Sequence, residues 1–148
     1  MSARAGIGDD SHRFTAGQPL RLGGVVVPHT HGLAGHSDGD AALHAIVDAL
    51  LGAAALGDIG QHFADDDPRW KGVDSTVFCK RIVEVLAAAG FAPHNVDVTI
   101  VCERPKLAAL IPAMREATAK ALGLTPAEVS YKAKTNEGMG SIGKGEGI

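Results

Sequence analysis

An apolar stripe at helical spacing constrains the fold of this chain more than any other feature. Within residues 41–56, apolar side chains recur three and four positions apart, at Leu43, Ile46, Val47, Leu50 and Ala54. This period predicts an amphipathic helix with one buried face. Ser37 or Asp38 can cap the start of this helix, and Gly57 can end it. Such a helix needs a second layer of structure against which to bury its apolar face.

Three polar residues lie on the same helix at positions i, i+4 and i+8, namely Asp40, His44 and Asp48. Residues four apart share one face of a helix, so we expect these side chains to form a polar stripe opposite the packed face. A stripe of this kind can line a binding or catalytic site.

Strand and helix patterns alternate along the rest of the chain. Strands are predicted around Ile7 and over 20–27, 96–102 and 129–134, and helices over 75–89 and 106–122. Pro112 predicts a kink or an early first turn in the last helix. With 148 residues and 45% hydrophobic content, we expect one domain of the α/β (α+β) class, with a mixed four-stranded sheet and helices packed on one face.

Charge and hydropathy exclude several functional classes. The net charge of −3 provides no basic field for nucleic acid or an anionic membrane. The longest apolar stretch, Ala49 to Leu56, is far too short to cross a bilayer, and the N-terminus carries no apolar signal core. We therefore expect a cytoplasmic protein without nucleic-acid or membrane partners. Cys79 and Cys102 form no C-x-x-C pair and are predicted to be ordinary buried thiols.

Asp10, His12 and His44 are candidate metal ligands. One carboxylate and two imidazoles without a fourth protein ligand leave a coordination position open on zinc, as chemistry at the metal requires. A strand that carries Asp10 and His12, together with a helix that carries His44, would give a rigid three-point geometry. The spacing alone leaves open that these are unrelated polar side chains with their own hydrogen bonds.

His36 and Ser37 precede the predicted helix, where backbone N–H groups and the helix dipole favour an anion. His36 could donate a hydrogen bond to a phosphate and stabilise charge that develops during reaction. A plain helix cap beside a solvated histidine explains the same pattern equally well.

Two other segments have the residue types of a ligand site. Asp58 lies between two glycines, whereas the acidic run 65–67 before Pro68 is typical of an ordinary turn. In the glycine-rich tail, Thr135 and Glu137 could hold a diphosphate and a hard cation such as Mg²⁺. A loose terminus explains that tail equally well.

Several strings of residues together point to one known family. They are Asp10-Ser11-His12, the run from Gly35 to Gly60, Asp67-Pro68, Asn95 to Val98, Arg104-Pro105-Lys106, and Glu137 with Gly145-Glu146-Gly147. These strings resemble the 2-C-methyl-D-erythritol 2,4-cyclodiphosphate synthase family of the non-mevalonate isoprenoid pathway. The resemblance covers essentially the whole chain, and its central run is highly specific.

The resemblance implies a phosphorus–oxygen lyase that cyclises 4-diphosphocytidyl-2-C-methyl-D-erythritol 2-phosphate and releases CMP. It implies Zn²⁺, or another divalent transition metal, on Asp10, His12 and His44, and Mg²⁺ or Mn²⁺ near Glu137. It also implies that His36 and Thr135 stabilise the transition state. Members are homotrimers with active sites between subunits.

The resemblance further implies a set of substrate-binding residues. On the erythritol-phosphate and metal side they are Asp10, Ser11, His12, His36, Ser37, Asp58, Ile59, Gly60, Phe63, Asp65 and Asp67. On the cytidine diphosphate side they are Cys102, Pro105, Lys106, Leu107, Ala108, Lys134, Thr135, Asn136, Glu137, Ser141 and Lys144.

The chain departs from the family pattern near its end. The family often has Thr at the position of Lys134, an aromatic near Ser141 and Arg at the position of Lys144, so the diphosphate contacts are expected to differ. The family also continues with another strand beyond the position of Ile148, which predicts either a truncated sequence or a sheet without one edge strand.

Two alternative functions stay open at this stage. A zinc-dependent phosphohydrolase would use the same open metal position for water. A non-catalytic nucleotide or phosphate sensor would account for the departures at Lys134, Ser141 and Lys144.

Overall fold

The structure is a computed structural model that describes residues 2–148. Its strands are β1 (Phe14–Thr15), β2 (Leu20–Leu22), β3 (Val25–Val27), β4 (Gly32–Leu33), β5 (Val96–Val101) and β6 (Val129–Lys134). Its α-helices are α1 (Ala41–Ala54), α2 (Ile59–His62), α3 (Thr76–Ala88), α4 (Ile111–Leu122) and α5 (Gly140–Gly143). Short 3-10 turns cover Pro68–Trp70, Ala108–Leu110 and Pro126–Glu128. The mixed α/β single-domain class is confirmed.

The strands pair two by two. β1 pairs with β4 and β2 with β3, both antiparallel, whereas β5 and β6 run parallel from Val96↔Val129 to Val101↔Lys134. Within residues 2–148 these pairs are three separate two-stranded sheets, so the predicted mixed four-stranded sheet is wrong. The segment around Ile7 forms no strand, and the Ile7 side chain is 93% exposed.

The strand predicted over 20–27 is a hairpin. Gly23 and Gly24 have φ angles of 61° and 78°, and they turn the chain so that Leu22 faces Val25. Two successive residues with positive φ form the tight turn that suits a two-residue hairpin, and glycine adopts this conformation without steric cost. The apolar pattern identified the strand residues but did not reveal the reversal between them.

Helix α1 begins and ends at residues other than those predicted. Asp40 caps it, with its Oδ1 accepting from the Leu43 N–H at 3.0 Å, in place of Ser37 or Asp38. Ala55 ends it with a left-handed φ of 58°, two residues before Gly57. Asp40 is fully buried and so does not belong to the predicted polar stripe, although His44 and Asp48 are only half-buried as expected.

The remaining predicted elements are confirmed with small shifts at their ends. The third predicted helix begins with a 3-10 turn over Ala108–Leu110 and becomes α-helical at Ile111. Pro112 lies in the first turn of α4, where its missing N–H leaves no helical hydrogen bond unmade. Pro112 therefore marks an early first turn rather than a kink.

One apolar core holds these elements together. Helices α1 and α3 pack on each other, and α4 packs on both α3 and β6. Fully buried side chains from all of these layers meet there, including Leu43, Leu51, Ile82, Met114 and Val129. None of the helices in the described part of the chain is both long and apolar enough to span a membrane.

The segment that leads to Asp10 lies close against α1. A Cβ built on Gly8 would stand 2.2 Å from the Ala45 carbonyl oxygen and 2.6 Å from the Ala49 nitrogen. Only a residue without a side chain allows the two backbones to approach this closely. Gly8 therefore helps to set how near Asp10 comes to His44 on the same helix.

Gly8→Ala is expected to destabilise the fold by about 2 kcal/mol, since the methyl group meets backbone atoms that cannot move independently. Gly52→Ala is the matched control, because a Cβ at this exposed position of α1 meets no atom within 4 Å. That change should stabilise the helix by about 1 kcal/mol. Urea unfolding of both variants measures the difference, and equal effects would contradict the proposed close approach.

Candidate metal centre and active-site cavity

Three predicted ligands meet at one point. Asp10 Oδ2 lies 2.8 Å from His12 Nε2 and 3.1 Å from His44 Nδ1, and the two ring nitrogens are 3.3 Å apart. Asp10 and His12 come from the segment before β1, and His44 comes from the first turns of α1. The structure thus brings together, from two separate parts of the chain, the three residues that the sequence predicted.

The donor atoms fit a metal ion. Ligand atoms about 2.0–2.1 Å from a tetrahedral zinc lie about 3.3 Å from one another, close to the separations observed here. His12 Nδ1 lies 2.5 Å from the Ala34 carbonyl oxygen, which can only accept a hydrogen bond. The Nδ1–H of His12 therefore donates to Ala34, which leaves Nε2 as the ring nitrogen that faces Asp10 and His44 and can bind a metal ion.

Electrostatics keep Asp10 in the form that binds a cation. Burial alone would raise the pKa of Asp10, but hydrogen bonds and opposite charge from His12 and His44 together lower it well below its usual range. The hydrogen bond to Asp10 in turn raises the pKa of His12, against the effect of burial. Asp10 is thus an anionic ligand between two imidazoles.

A cavity of about 310 Å³ adjoins these ligands. Nine of its lining residues were predicted for the site, namely Asp10, His12, His36, Ser37, His44, Ile59, Gly60, Phe63 and Asp65. Five others line it, namely Asp9, Gly35, Asp48, Trp70 and Phe78. Of these five, only Asp48 had a sequence signal, through its place on the polar stripe of α1.

An aromatic cluster forms the apolar wall of this cavity. The rings of Phe63 and Phe78 lie 4.3 Å apart, and Trp70 packs edge-on against both. Trp70 Nε1 is buried and has no hydrogen-bond partner within residues 2–148. The sequence analysis assigned Phe78 to neither the core nor the site. An aromatic residue in a predicted helix can belong to either, and its position alone does not distinguish them.

Loop residues around the cavity are held by hydrogen bonds to main-chain atoms. His36 Nε2 donates to the Asp67 carbonyl at 2.9 Å, which leaves Nδ1 as the nitrogen available to a phosphate. Asp48 accepts from the Ile59 N–H at 2.7 Å and so ties the glycine-flanked loop to α1. Asp58 caps α2 and Asp67 caps the following 3-10 turn, and neither lines the cavity.

The residues predicted for the nucleotide side gather elsewhere. Parallel strands β5 and β6 end at the same edge, where the Cys102 N–H donates to the Lys134 carbonyl at 2.9 Å. Glu103 lies at this edge and accepts from the backbone N–H groups of Asn136 and Gly138 at 3.1 and 2.9 Å. Glu103 lies within the stretch from Cys102 to Ala108 that the resemblance matches to the nucleotide side, but it was not itself predicted as a site residue. None of the residues at this edge lines the cavity beside Asp10.

The remaining predicted residues of this group follow along the two strand ends. The Cys102 thiol donates a hydrogen bond to the Pro105 carbonyl oxygen, with 3.6 Å between sulfur and oxygen. Lys106 and Ala108 are exposed, whereas Leu107 is buried. Thr135, Glu137, Ser141 and Lys144 are exposed in the glycine-rich tail. A single chain therefore presents two separate groups of predicted site residues.

The glycine-rich tail is anchored rather than loose. Ile148 and His12 exchange two backbone hydrogen bonds of 3.0 Å, and the Phe14 N–H donates to the Glu146 carbonyl. These bonds connect the tail to the segment that carries two of the three metal-ligand candidates. The tail thereby helps to hold His12 in place.

Fold and site together define a single-domain mixed α/β protein with a candidate Asp/His/His metal centre beside a cavity with one aromatic wall. A profile described as the YgbB family matches residues 3–148. A curated relative from Salinibacter ruber, named 2-C-methyl-D-erythritol 2,4-cyclodiphosphate synthase, is 55% identical over 145 residues, which cover 98% of this chain and 92% of the relative. The chain therefore belongs to the YgbB family, in which such synthases are found.

Solved structures show the same fold. One described as 2C-methyl-D-erythritol-2,4-cyclodiphosphate synthase in a CDP-bound form aligns with a TM-score of 0.85 and 40% identity, over 92% of this chain and 91% of that chain. The bifunctional IspDF from Campylobacter jejuni aligns with a TM-score of 0.87 and 36% identity. That alignment covers 97% of this chain but only 39% of the bifunctional protein.

Proposed function

We propose that this protein is a 2-C-methyl-D-erythritol 2,4-cyclodiphosphate synthase. The substrate is 4-diphosphocytidyl-2-C-methyl-D-erythritol 2-phosphate, and the products are the cyclic diphosphate and CMP. The observation that carries the proposal is the convergence of Asp10, His12 and His44 on one point beside a cavity. It occurs in a chain whose curated relatives bear this name at about 55% identity. A cytoplasmic location stays a prediction from the sequence.

The reaction conserves atoms without water or a protein nucleophile. An oxygen of the 2-phosphate forms a bond to the β-phosphorus, the bond from that phosphorus to the bridging oxygen breaks, and CMP leaves with the electron pair. Because both reacting groups belong to one molecule, the protein mainly holds the substrate in a bent conformation that brings them together, and it offsets the repulsion between the anionic groups. We propose a phosphorus–oxygen lyase on this basis.

Asp10, His12 and His44 would hold a divalent ion, with Zn²⁺ favoured by the two nitrogen ligands. When bound, this ion supplies positive charge and an open position for a phosphate oxygen. His36 would contact the same phosphate through Nδ1, which donates when both ring nitrogens carry a proton, because Nε2–H is held by the Asp67 carbonyl. Ser37, Ile59, Gly60, Phe63 and Asp65 line the cavity and would enclose the erythritol phosphate.

The edge formed by the ends of β5 and β6 would bind the cytidine diphosphate. Cys102, Lys106 and their neighbours would surround the nucleoside, and Thr135 would contact the diphosphate. Glu137 would bind or approach Mg²⁺ or Mn²⁺, which prefers oxygen ligands. The resemblance to the synthase family implies a homotrimer, and because this edge shares no lining with the metal-side cavity of one chain, we propose that the two groups face each other across its subunits.

Phosphorus NMR tests the function directly. The purified protein is supplied with the cytidylylated substrate, Zn²⁺ and Mg²⁺, and the products are followed with time. A cyclic diphosphate and CMP in equal amounts support the proposal. Hydrolysis to open-chain phosphates would favour the metal-dependent phosphohydrolase, and CDP binding without turnover would favour a sensor.

Subunit complementation should restore activity between two inactive variants. His44→Ala removes a metal ligand, and Lys106→Ala removes a cation from the proposed nucleotide side. In an equal mixture, three quarters of the trimers contain both variants, and each of these has one intact site in three. Co-refolded protein should therefore regain about a quarter of wild-type turnover. Activity no higher than the sum of the two separate variants would contradict sites shared between subunits.

A further inference from the structure

The second ring nitrogen of His44 faces two hydroxyl groups away from the metal-ligand candidates. His44 Nε2 lies 2.9 Å from Ser75 Oγ and 3.1 Å from Ser37 Oγ. Ser75 is completely buried at the start of α3, and Ser37 is half-buried. Neither the family comparison nor the sequence pattern assigns Ser75 a role.

The direction of the hydrogen bonds around Ser75 follows from Asp38. Ser75 Oγ lies 2.5 Å from Asp38 Oδ1, and Asp38 also accepts from the backbone N–H groups of Ser75 and Asp40. A carboxylate can only accept, so the single hydroxyl proton of Ser75 donates to Asp38. Ser75 then has only lone pairs to offer to His44, which must donate its Nε2–H.

This arrangement determines which nitrogen of His44 is free. Because Nε2 keeps its proton for Ser75, Nδ1 is the nitrogen that faces Asp10 Oδ2, 3.1 Å away, and His12 Nε2, and it is the nitrogen that can give up its proton to bind a metal ion. Ser37 does not impose the same direction, because no carboxylate contact orients its hydroxyl among the hydrogen bonds of residues 2–148. Ser75 and Asp38 therefore together fix the direction of the hydrogen bond to His44, whereas the Ser37 hydroxyl can either donate or accept.

We propose that Ser75 and Asp38 are positioning residues for the metal centre: Asp38 orients the Ser75 hydroxyl, which holds the His44 imidazole with Nδ1 ready to bind a metal ion. This inference rests on the metal centre of the proposed function but not on the reaction itself. Outer partners of this kind typically contribute ten- to a hundredfold to metal affinity. Part of the site is thus built by α3, which supplies no candidate ligand.

Two measurements without substrate test the proposal. Nitrogen NMR of the Zn²⁺-loaded wild-type protein should show a proton on Nε2 of His44 and the metal on Nδ1, and a proton on Nδ1 with the metal on Nε2 would overturn the proposal. Competition with a coloured chelator then measures Zn²⁺ affinity. Ser75→Ala and Asp38→Asn should each weaken Zn²⁺ binding ten- to a hundredfold, whereas Ser75→Thr, which retains the hydroxyl, should restore it.

The Thr76→Ala variant distinguishes a positioning role of Ser75 at the metal centre from a contribution of Ser75 to the stability of the fold. Thr76 is the next residue, and its Oγ1 donates to Asp74 at 2.7 Å, so its loss perturbs the same helix start without touching His44. We expect Thr76→Ala to lower the urea midpoint while leaving Zn²⁺ affinity within twofold of wild type. Equal losses of affinity in Thr76→Ala and Ser75→Ala would make Ser75 merely structural and overturn the proposal. A protein that binds Zn²⁺ as expected but forms no cyclic product would instead contradict the proposed function alone.

Discussion

Replacement of His44 by alanine is expected to lower turnover about a thousandfold or more while leaving the fold intact. The change removes one of three protein ligands, together with the ring that connects the metal centre to Ser75. A bound metal contributes several kcal/mol to stabilising developing charge, and each 1.4 kcal/mol corresponds to about a factor of ten. The His44 side chain is 11% exposed and lines the cavity rather than belonging to the apolar core, so its truncation enlarges that cavity and removes no core side chain.

The assay should follow CMP release together with metal content by elemental analysis. His94→Ala is the matched control, because His94 is exposed and lies outside both groups of site residues. This control should retain wild-type turnover and metal content. A His44→Ala protein with full turnover would show that the reaction does not depend on the Asp/His/His centre.

Replacement of Asp40 by alanine is expected to reduce the free energy of unfolding by about 3 kcal/mol or more. Asp40 Oδ1 accepts from the N–H groups of Gly23 and Leu43, and Oδ2 accepts from Gly24, at 2.8–3.0 Å. Asp40, Gly23 and Leu43 are all buried, so the N–H groups of Gly23 and Leu43 could not turn to bulk water after truncation. Each buried donor left without a partner costs about 1–3 kcal/mol, and the change affects both the β2–β3 turn and the start of α1.

Asp40→Asn gives a graded version of the same experiment. Its single oxygen can still accept from Gly23 and Leu43, but its amide nitrogen would face the Gly24 N–H. We expect a loss between those of wild type and Asp40→Ala in urea unfolding. Asp66→Ala, at an exposed position, should change stability by less than about 0.5 kcal/mol. If Asp40→Ala unfolds at the wild-type midpoint, Asp40 does not connect the hairpin to the helix.

Local sequence patterns predicted most helices and strands, because the spacing of apolar residues within one element depends only on the geometry of that element. The 3.6-residue period identified α1 and α3, and β-branched runs identified β5 and β6 close to their observed ends. Turn chemistry was harder to interpret: Gly23 and Gly24 reverse the chain inside what looked like one strand. The segment around Ile7 looked apolar enough for a strand but forms no backbone ladder in the described part of the chain.

The cap of α1 shows why local signals fail where tertiary contacts compete with them. Ser37, Asp38 and Asp40 are all good capping residues, and the sequence offers no means of choosing among them. In the structure Asp38 accepts a hydrogen bond from Ser75, and Ser37 lies within hydrogen-bond distance of His44. Asp40 is the residue that caps the helix, by accepting from the Leu43 N–H. A prediction based on residue type alone cannot distinguish these partners, because the Ser75 that binds Asp38 and the Gly23 and Gly24 that bind Asp40 are remote in the sequence.

For the site, residue types were sufficient to nominate Asp10, His12 and His44, since one carboxylate and two imidazoles bind a divalent ion and leave it an open position. Their meeting at distances of 2.8–3.3 Å depends on the close approach of the N-terminal segment to α1, which is a tertiary property. Trp70 and Phe78 of the aromatic wall, the hydrogen bonds of Glu103 and the contact between Ser75 and Asp38 were not predicted from the sequence for the same reason. Sequence thus determined the helical and strand periods and the chemistry of the ligands, because these depend on near neighbours. Only the tertiary structure decided which hydrogen-bond partners each polar group has, because those partners lie tens of residues apart.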